Sequence, residues 1–160
     1  MAMQTRVDQN SFPIVLSGVP FVYDNAGIVT NGARVSALAQ YTVMSQIAAS
    51  GLWVPWTSDN LGAATGAQYP MGILMNDGGF TGAQIVAGQA TGVQILYGGA
   101  GLTIDSSQLV FDGGNTGILA LNTLASIPTL PTSLALQAEQ LLAFRGIFCQ
   151  TVVALDNHEN

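Results

Sequence analysis

The chain has 160 residues, of which 49% are hydrophobic and only 8% are charged, and its formal net charge is −6 with three arginines and no lysine. Three scattered cations cannot form the basic surface that binds a phosphate backbone, which argues against nucleic acid as a partner. No run of about 20 consecutive apolar residues is present, so we expect no membrane span. The low charge favours a surface covered by copies of the same chain or by a partner, and a surface of uncharged polar residues is the alternative.

The first segment, Met1–Asn10, is polar and shows no sustained hydrophobic period. We expect residues 1–16 to form an extended N-terminal arm ahead of a single β-rich domain at residues 17–160. From Ser11 to Thr30 the pattern predicts two or three short strands. A turn is expected at Asp24–Gly27, with Gly27 free to adopt a positive φ.

The stretch from Gln40 to Leu74 contains three short extended segments separated by turn residues. Tyr41–Met44, Leu52–Trp56 and Met71–Leu74 combine β-branched, aromatic and aliphatic side chains, which suit a pleated, half-buried surface and predict three strands. Pro55 has no backbone N–H to donate to a neighbouring strand. The second segment is therefore predicted to be an edge strand or a bulge.

Four side chains around this edge are candidates for strand-edge or subunit packing: Tyr41, Trp53, Pro55 and Trp56. Indole rings also stack on sugars, so a second hypothesis makes Trp53 and Trp56 the platform of a carbohydrate-binding β module. Packing against a neighbouring strand or subunit is the more common role of such a pair.

The second half of the chain predicts further strands between glycine-rich turns. Weak strand signals surround Gln84–Val86, and Thr91–Tyr97 alternates as a core strand that Gly98–Gly101 is expected to close. Leu102–Phe111 is predicted to form a hairpin that turns at Asp105–Ser107. Many short strands joined by tight turns are typical of a mostly β barrel or sandwich.

One short helix is predicted, from Leu134 to Phe144, because apolar residues recur there at helical spacing. Thr132 or Ser133 is placed to cap its N-terminus, and Gly146 is placed to end it in the left-handed conformation. The chain then returns to strand as far as Leu155.

Residues that carry catalysis or bind metals are scarce. The only histidine, His158, lies near the end of the sequence, and the only cysteine, Cys149, lies in an apolar run that indicates a core residue. His158 with Asp156 and Glu159 fits a solvated tail better than a metal site. We expect no enzymatic activity, no cofactor and no metal, although a hydrolase with paired carboxylates stays open until distances are known.

The order of these features resembles the head decoration proteins of tailed bacteriophages, of the phage lambda type. A Tyr-Thr-Val-Met strand, an aromatic-Val-Pro-Trp strand, an apolar-Gly-Ile-Leu strand and a short helix before Gly146-Ile147 carry the resemblance. It covers roughly Gln40–Ala100 and Leu134–Val153. The extra residues before Arg34 and between Leu102 and Ser133 lie outside it.

The resemblance implies a β-clip-like fold, a homotrimer and a place on the outer surface of the expanded capsid, for a protein made in the host cytoplasm. It implies that the N-terminal arm pairs with strands of the major capsid protein, and that the bound oligomer stabilises the head against internal genome pressure. The carbohydrate-binding alternative would then lie on the virion surface. The arm residues expected to contact the capsid are Arg6, Val7, Asp8, Phe12, Pro13, Ile14 and Val15.

Overall fold

The computed structural model describes residues 13–28, 37–61, 64–86, 90–111, 119–125 and 136–152. These residues form a mostly β structure with short helices. The strands are β1 (Val15–Tyr23), β2 (Val43–Gln46), β3 (Trp53–Pro55), β4 (Gly72–Leu74), β5 (Ile95–Asp105), β6 (Leu124–Ala125), β7 (Leu136–Gln137) and β8 (Ile147–Gln150); the helices are α1 (Gly82–Val86) and α2 (Ala138–Ala143).

The main sheet is built around β5, its longest strand. The strand order is β1-β5-β4-β2-β3, and β8 pairs in parallel with the end of β5. β1 runs antiparallel to β5 along one edge, whereas β4 and β8 share the other edge of β5. β6 and β7 form a separate two-stranded sheet.

The sheet curls but does not close. After β1 the chain reaches back to the far edge, where Ile28 bridges Trp53 and the Trp53 N–H donates to the Gly27 carbonyl oxygen at 2.8 Å. A single bridge is not a strand pairing, so β1 and β3 remain the two ends of the strand order in the described residues. The architecture is mostly β, as predicted, and the closed form of a small barrel is not reached.

The apolar core consists of three clusters of buried residues, and the largest of them joins the sheet to α2. Ile14, Leu102, Ile104, Leu142 and Ile147 are fully buried in its largest cluster. Burial of each such side chain stabilises the fold by roughly 1.5–3 kcal/mol. Among the described residues, no buried side-chain nitrogen or oxygen atom lacks a hydrogen-bond partner, so the interior carries no unsatisfied polar side chain.

The three strands predicted between residues 40 and 74 are confirmed as β2, β3 and β4, which are neighbours in the sheet. β3 lies at the end of the strand order, which confirms the edge position predicted from Pro55. The predicted closure of a strand at Gly98–Gly101 is wrong. β5 continues through these glycines, because the missing side chains let other backbone segments approach it closely.

Gly146 makes one of these close approaches. Its φ is +79°, and a Cβ atom placed on it would lie 2.4 Å from the Gly99 carbonyl oxygen. The Gly99 N–H donates to the Arg145 carbonyl oxygen at 3.2 Å. The junction between α2 and β8 therefore rests directly on the backbone of β5, and the predicted helix end at Gly146 is confirmed.

The helix before this junction begins later than predicted. Residues 136–137 pair as β7, and Gln137 caps α2 through a reciprocal pair of hydrogen bonds with Gln140. The predicted caps, Thr132 and Ser133, lie outside the described residues.

A second helix, α1, replaces the strand predicted around Gln84–Val86. The Thr81 N–H donates to Gln84 Oε1 at 2.8 Å, and the Gln84 N–H donates to Thr81 Oγ1 at 3.2 Å. This capping box satisfies backbone donors that a strand would have directed to a neighbour. The local cap thus outweighs the strand propensity of the Ile-Val pair.

Two predicted turns also differ in detail. At residues 24–27 the positive φ is adopted by Asn25, at 58°, and not by Gly27. The predicted hairpin at residues 102–111 is instead a strand end followed by a 3-10 turn at Ser106–Gln108. Val110 then pairs with Thr42 and not with β5, because the Asp105 side chain caps the 3-10 turn and redirects the chain.

Candidate docking surface

The root of the predicted arm belongs to the folded domain. Ile14 is fully buried, its carbonyl oxygen accepts from the Asp105 N–H at 2.8 Å, and Val15 begins β1 opposite Ile104. This corrects the expectation that the Ile14 side chain contacts a capsid, since that side chain fills the core. Pro13 is exposed. Four arm residues predicted to contact the capsid lie outside the described residues: Arg6, Val7, Asp8 and Phe12.

The buried side chain of Tyr41 contacts the root of the arm. The residue is buried, adopts a φ of 65° and forms a hydrogen bond with the backbone of Ile14. Burial is the main cause that raises the pKa of its phenol above the usual 10.0, and the nearby Asp77 carboxylate adds to it, whereas the hydrogen bond acts in the opposite direction. The phenol therefore stays neutral and joins the backbone of Ile14 to the segment that precedes β2.

The tryptophan pair fills the interior of the protomer. Trp56 is fully buried, and its Nε1–H donates to the Gln68 carbonyl oxygen at 3.0 Å. Trp53 is 3% exposed, and Pro55 between them is also buried. A buried ring has no face for a sugar, so the carbohydrate-binding hypothesis loses the residues on which it rested. The same burial leaves little of these side chains for contact with another subunit.

An aromatic row lies instead on the outward side of β1 and β5, and we define it as Phe21, Tyr23 and Tyr97. The Tyr23 and Tyr97 ring centroids are 4.2 Å apart, and those of Phe21 and Tyr97 are 6.4 Å apart. Phe21 is 44% exposed and Tyr23 is 49% exposed. Val22 packs against the largest core cluster, so Phe21 and Tyr23 lie on the other side of β1. On that side Tyr97 packs against a second buried cluster, and the Tyr23 ring centroid lies 6.3 Å from that of Trp53.

A groove of about 550 Å³ lies at the C-terminal end of α2, and we call it the α2 groove. Phe144, at its rim, is 78% exposed. A Cβ on Gly98 would lie 3.7 Å from the Phe21 ring and 2.9 Å from the Arg145 carbonyl oxygen, so the groove and the aromatic row meet at this glycine. The lining residues are Tyr69, Pro70, Met71, Leu141, Phe144 and Arg145.

Arg145 gives this apolar surface its one charge. It is the only arginine or lysine among the described residues, and no ion pair to its guanidinium occurs within them. A guanidinium beside aliphatic and aromatic side chains can stack on a ring while it accepts a carboxylate in bidentate fashion. The surface therefore combines a broad apolar area with a single site for an anionic group.

The carboxylate of Asp105 forms hydrogen bonds that hold the local turn. Asp105 accepts from the Ser107 N–H at 3.0 Å, the Ser107 hydroxyl at 2.7 Å and Gln108 Nε2 at 3.0 Å. The Ser107 and Gln108 side-chain hydrogen bonds are the main causes that lower the pKa of Asp105. In the described part of the chain, no group of three or more His, Cys, Asp or Glu residues could hold a metal ion.

Comparison of the chain with protein-family models, with curated proteins and with solved structures finds no match. None of the helices in the described segments is long and apolar enough to cross a membrane.

The sequence did not identify the surface that the structure exposes. The prediction concentrated on the tryptophans and on the arm, whereas Phe21, Tyr23 and Phe144 are among the large apolar side chains that the described structure leaves exposed. The sequence carried no signal for this surface, because Phe21 and Tyr23 alternate with Pro20 and Val22, so β1 is apolar on both sides there.

Proposed function

We propose that this chain is a non-enzymatic virion protein of β-clip-like fold that decorates the outer surface of an expanded phage head as a homo-oligomer, with a trimer as the expected form. The observation that carries the proposal is the uncovered apolar surface, formed by the aromatic row and the α2 groove, on a chain with only 8% charged residues. Contiguous exposed apolar area of this kind marks an interaction site. The resemblance to lambda-type decoration proteins supplies the kind of partner, the major capsid protein.

The anchored root of the arm explains how binding would stabilise a head. An arm that holds a neighbouring capsid subunit works as a clamp only if its root resists being pulled away from the domain. Ile14 meets this need, since its side chain is buried and its backbone bonds to both Asp105 and Tyr41. A protein that binds only the expanded lattice then stabilises that lattice by mass action.

The main energetic cost of binding through the arm is the entropy lost when the arm becomes ordered. Fixing each arm residue costs roughly 1–2 kcal/mol of backbone entropy, so a single arm binds weakly. An oligomer presents several arms at once, and binding of the first raises the effective concentration of the others. The proposal therefore requires oligomerisation for tight capsid binding.

Co-sedimentation with purified heads tests the proposal. The heads come from the phage that encodes this chain and lack the protein, and expanded and unexpanded particles are compared. The full chain is tested beside a variant that lacks residues 1–12, because removal of residues 14–16 would damage the core and β1. We expect saturable binding of the full chain to expanded heads alone, and weaker binding of the truncated variant. Absence of binding to either particle would reject the decoration function.

A further inference from the structure

We propose that the aromatic row and the α2 groove form the subunit interface, that a second copy of this chain covers them, and that the guanidinium of Arg145 pairs there with a carboxylate of that copy. This inference rests on the proposed function and adds to it the face through which the oligomer forms. Each protomer would contribute the apolar surface on one side and an acidic surface on another.

The exposed area fits the centre of a subunit interface. Phe21, Tyr23 and Phe144 are 44%, 49% and 78% exposed. Since a large aromatic side chain presents about 200 Å², these three together expose roughly 340 Å². One partner of a stable interface contributes about 800 Å², so the rings would supply close to half of it, and aromatic residues with arginine are enriched at such centres.

Charge complementarity selects a second copy as the occupant. The chain carries nine acidic residues against three cationic ones. Asp77 and Glu139 are exposed carboxylates of the described chain. Burying Arg145 in an interface without an anion would be costly, and a bidentate carboxylate removes that cost. The exposed carboxylates of a neighbouring copy can supply such a group.

Symmetry limits how the two copies meet. An isologous dimer centred on this face would bring two Arg145 side chains together, and like charges repel. A heterologous contact places each Arg145 against a different surface of the next copy. Repetition of such a contact closes into a ring when the rotation allows it, and a trimer is one such ring.

The second copy binds the outward side chains of β1 more readily than the backbone groups at the edge of that strand. Pro20 lies in the middle of the strand and has no N–H, and the register with β5 shifts at three places along it. Proline and bulges are the features that protect exposed edges against addition of another strand. The second copy therefore meets the outward side chains of Phe21 and Tyr23 and does not extend the sheet.

Sedimentation velocity across about 1–50 µM protein tests the interface. The variants are Phe144→Ser and Arg145→Glu, with Arg145→Lys as the conservative change and Val86→Ser as the control. Val86 is 64% exposed and lies outside both the row and the groove. We expect Phe144→Ser and Arg145→Glu to raise the dissociation constant of the oligomer at least about tenfold, Arg145→Lys to raise it less, and Val86→Ser to leave it unchanged. Far-UV circular dichroism confirms that each variant is folded.

The outcomes separate this inference from the proposed function. The proposed interface is rejected if the wild-type chain is monomeric throughout the concentration range. It is also rejected if neither Phe144→Ser nor Arg145→Glu weakens the oligomer. Both conclusions hold whatever the head-binding result. Intact oligomers that lose binding to expanded heads would assign the face to the capsid protein, and would overturn self-contact while supporting decoration. Loss of the oligomer in both variants, with the control unchanged, supports the interface.

Discussion

Replacement of Gly146 by alanine perturbs the junction that positions Arg145. The residue adopts a φ of +79°, and a methyl group there would lie 2.4 Å from the Gly99 carbonyl oxygen. The left-handed conformation costs an L-residue roughly 1–2 kcal/mol. Relief of the overlap requires α2 and β8 to move away from β5, which strains core packing by about 1–3 kcal/mol and weakens the hydrogen bond from the Gly99 N–H to Arg145. We expect the free energy of unfolding to fall by about 3–5 kcal/mol.

Gly92→Ala is the matched control. Gly92 has a φ of +63°, and nothing lies within 4 Å of a Cβ built there. Both substitutions incur the cost of the left-handed conformation, and both lower the entropy of the unfolded chain by the same amount. Only Gly146→Ala adds the steric overlap. Urea titration followed by tryptophan fluorescence, at one protein concentration, gives the two free energies, and we expect a loss of about 1 kcal/mol for Gly92→Ala. A difference between the variants smaller than about 0.5 kcal/mol would refute the close approach of Gly146 to β5.

Three other changes probe the interior and its titrating groups. Trp56→Ala is expected to lower the free energy of unfolding by about 3–5 kcal/mol in the same titration, because the ring is fully buried; a loss below about 1 kcal/mol would contradict that burial. Burial, aided by the charge of Glu139, raises the pKa of Cys149 to about 11 from 9.0. Wild-type stability should therefore fall as the pH rises from about 9 to about 11, since the unfolded thiol ionises first, and Cys149→Ser should reduce that slope, leaving above pH 10 the part that comes from the raised pKa of Tyr41. Hydrogen bonds lower the pKa of Asp105 in the folded state, so its stabilising effect is lost as the pH falls below the unfolded value near 3.8; Asp105→Asn should flatten the acid side of the stability profile, and an unchanged profile would reject this role.

The strands of the central stretch were predictable because local chemistry and tertiary packing agree there. Aromatic and β-branched residues with turn residues between them predicted β2, β3 and β4 to within two residues, and Pro55 predicted the edge. β5 was predicted too short because glycine was taken as a turn signal. Its glycines serve instead for close approach by Arg145–Gly146, and that contact joins residues far apart in sequence.

The surface was less predictable than the fold. The sequence shows that β1 is apolar on both sides, but only the packing of Val22 and Ile14 decides that Phe21 and Tyr23 face outward. Burial of Trp56 depends on a hydrogen bond to the backbone of Gln68, which spacing does not reveal. The arm boundary was misplaced for a similar reason, since Ile14 is held by Tyr41 and by Asp105 of β5, which are far from it in sequence.

The arm root at Val15 and the aromatic row at Phe21 and Tyr23 lie toward opposite ends of β1, about 20–26 Å apart along an extended strand. The two functions should therefore separate on mutation. A variant that lacks residues 1–12 is expected to keep the oligomer, because the aromatic row and the α2 groove are intact, and to bind expanded heads more weakly. Phe144→Ser is expected to keep each arm and yet lose head affinity, since a monomer presents one arm and loses the gain from simultaneous attachment. Sedimentation velocity and co-sedimentation measure both variants, and an oligomer that dissociates on removal of residues 1–12 would show that the arm forms the subunit contact.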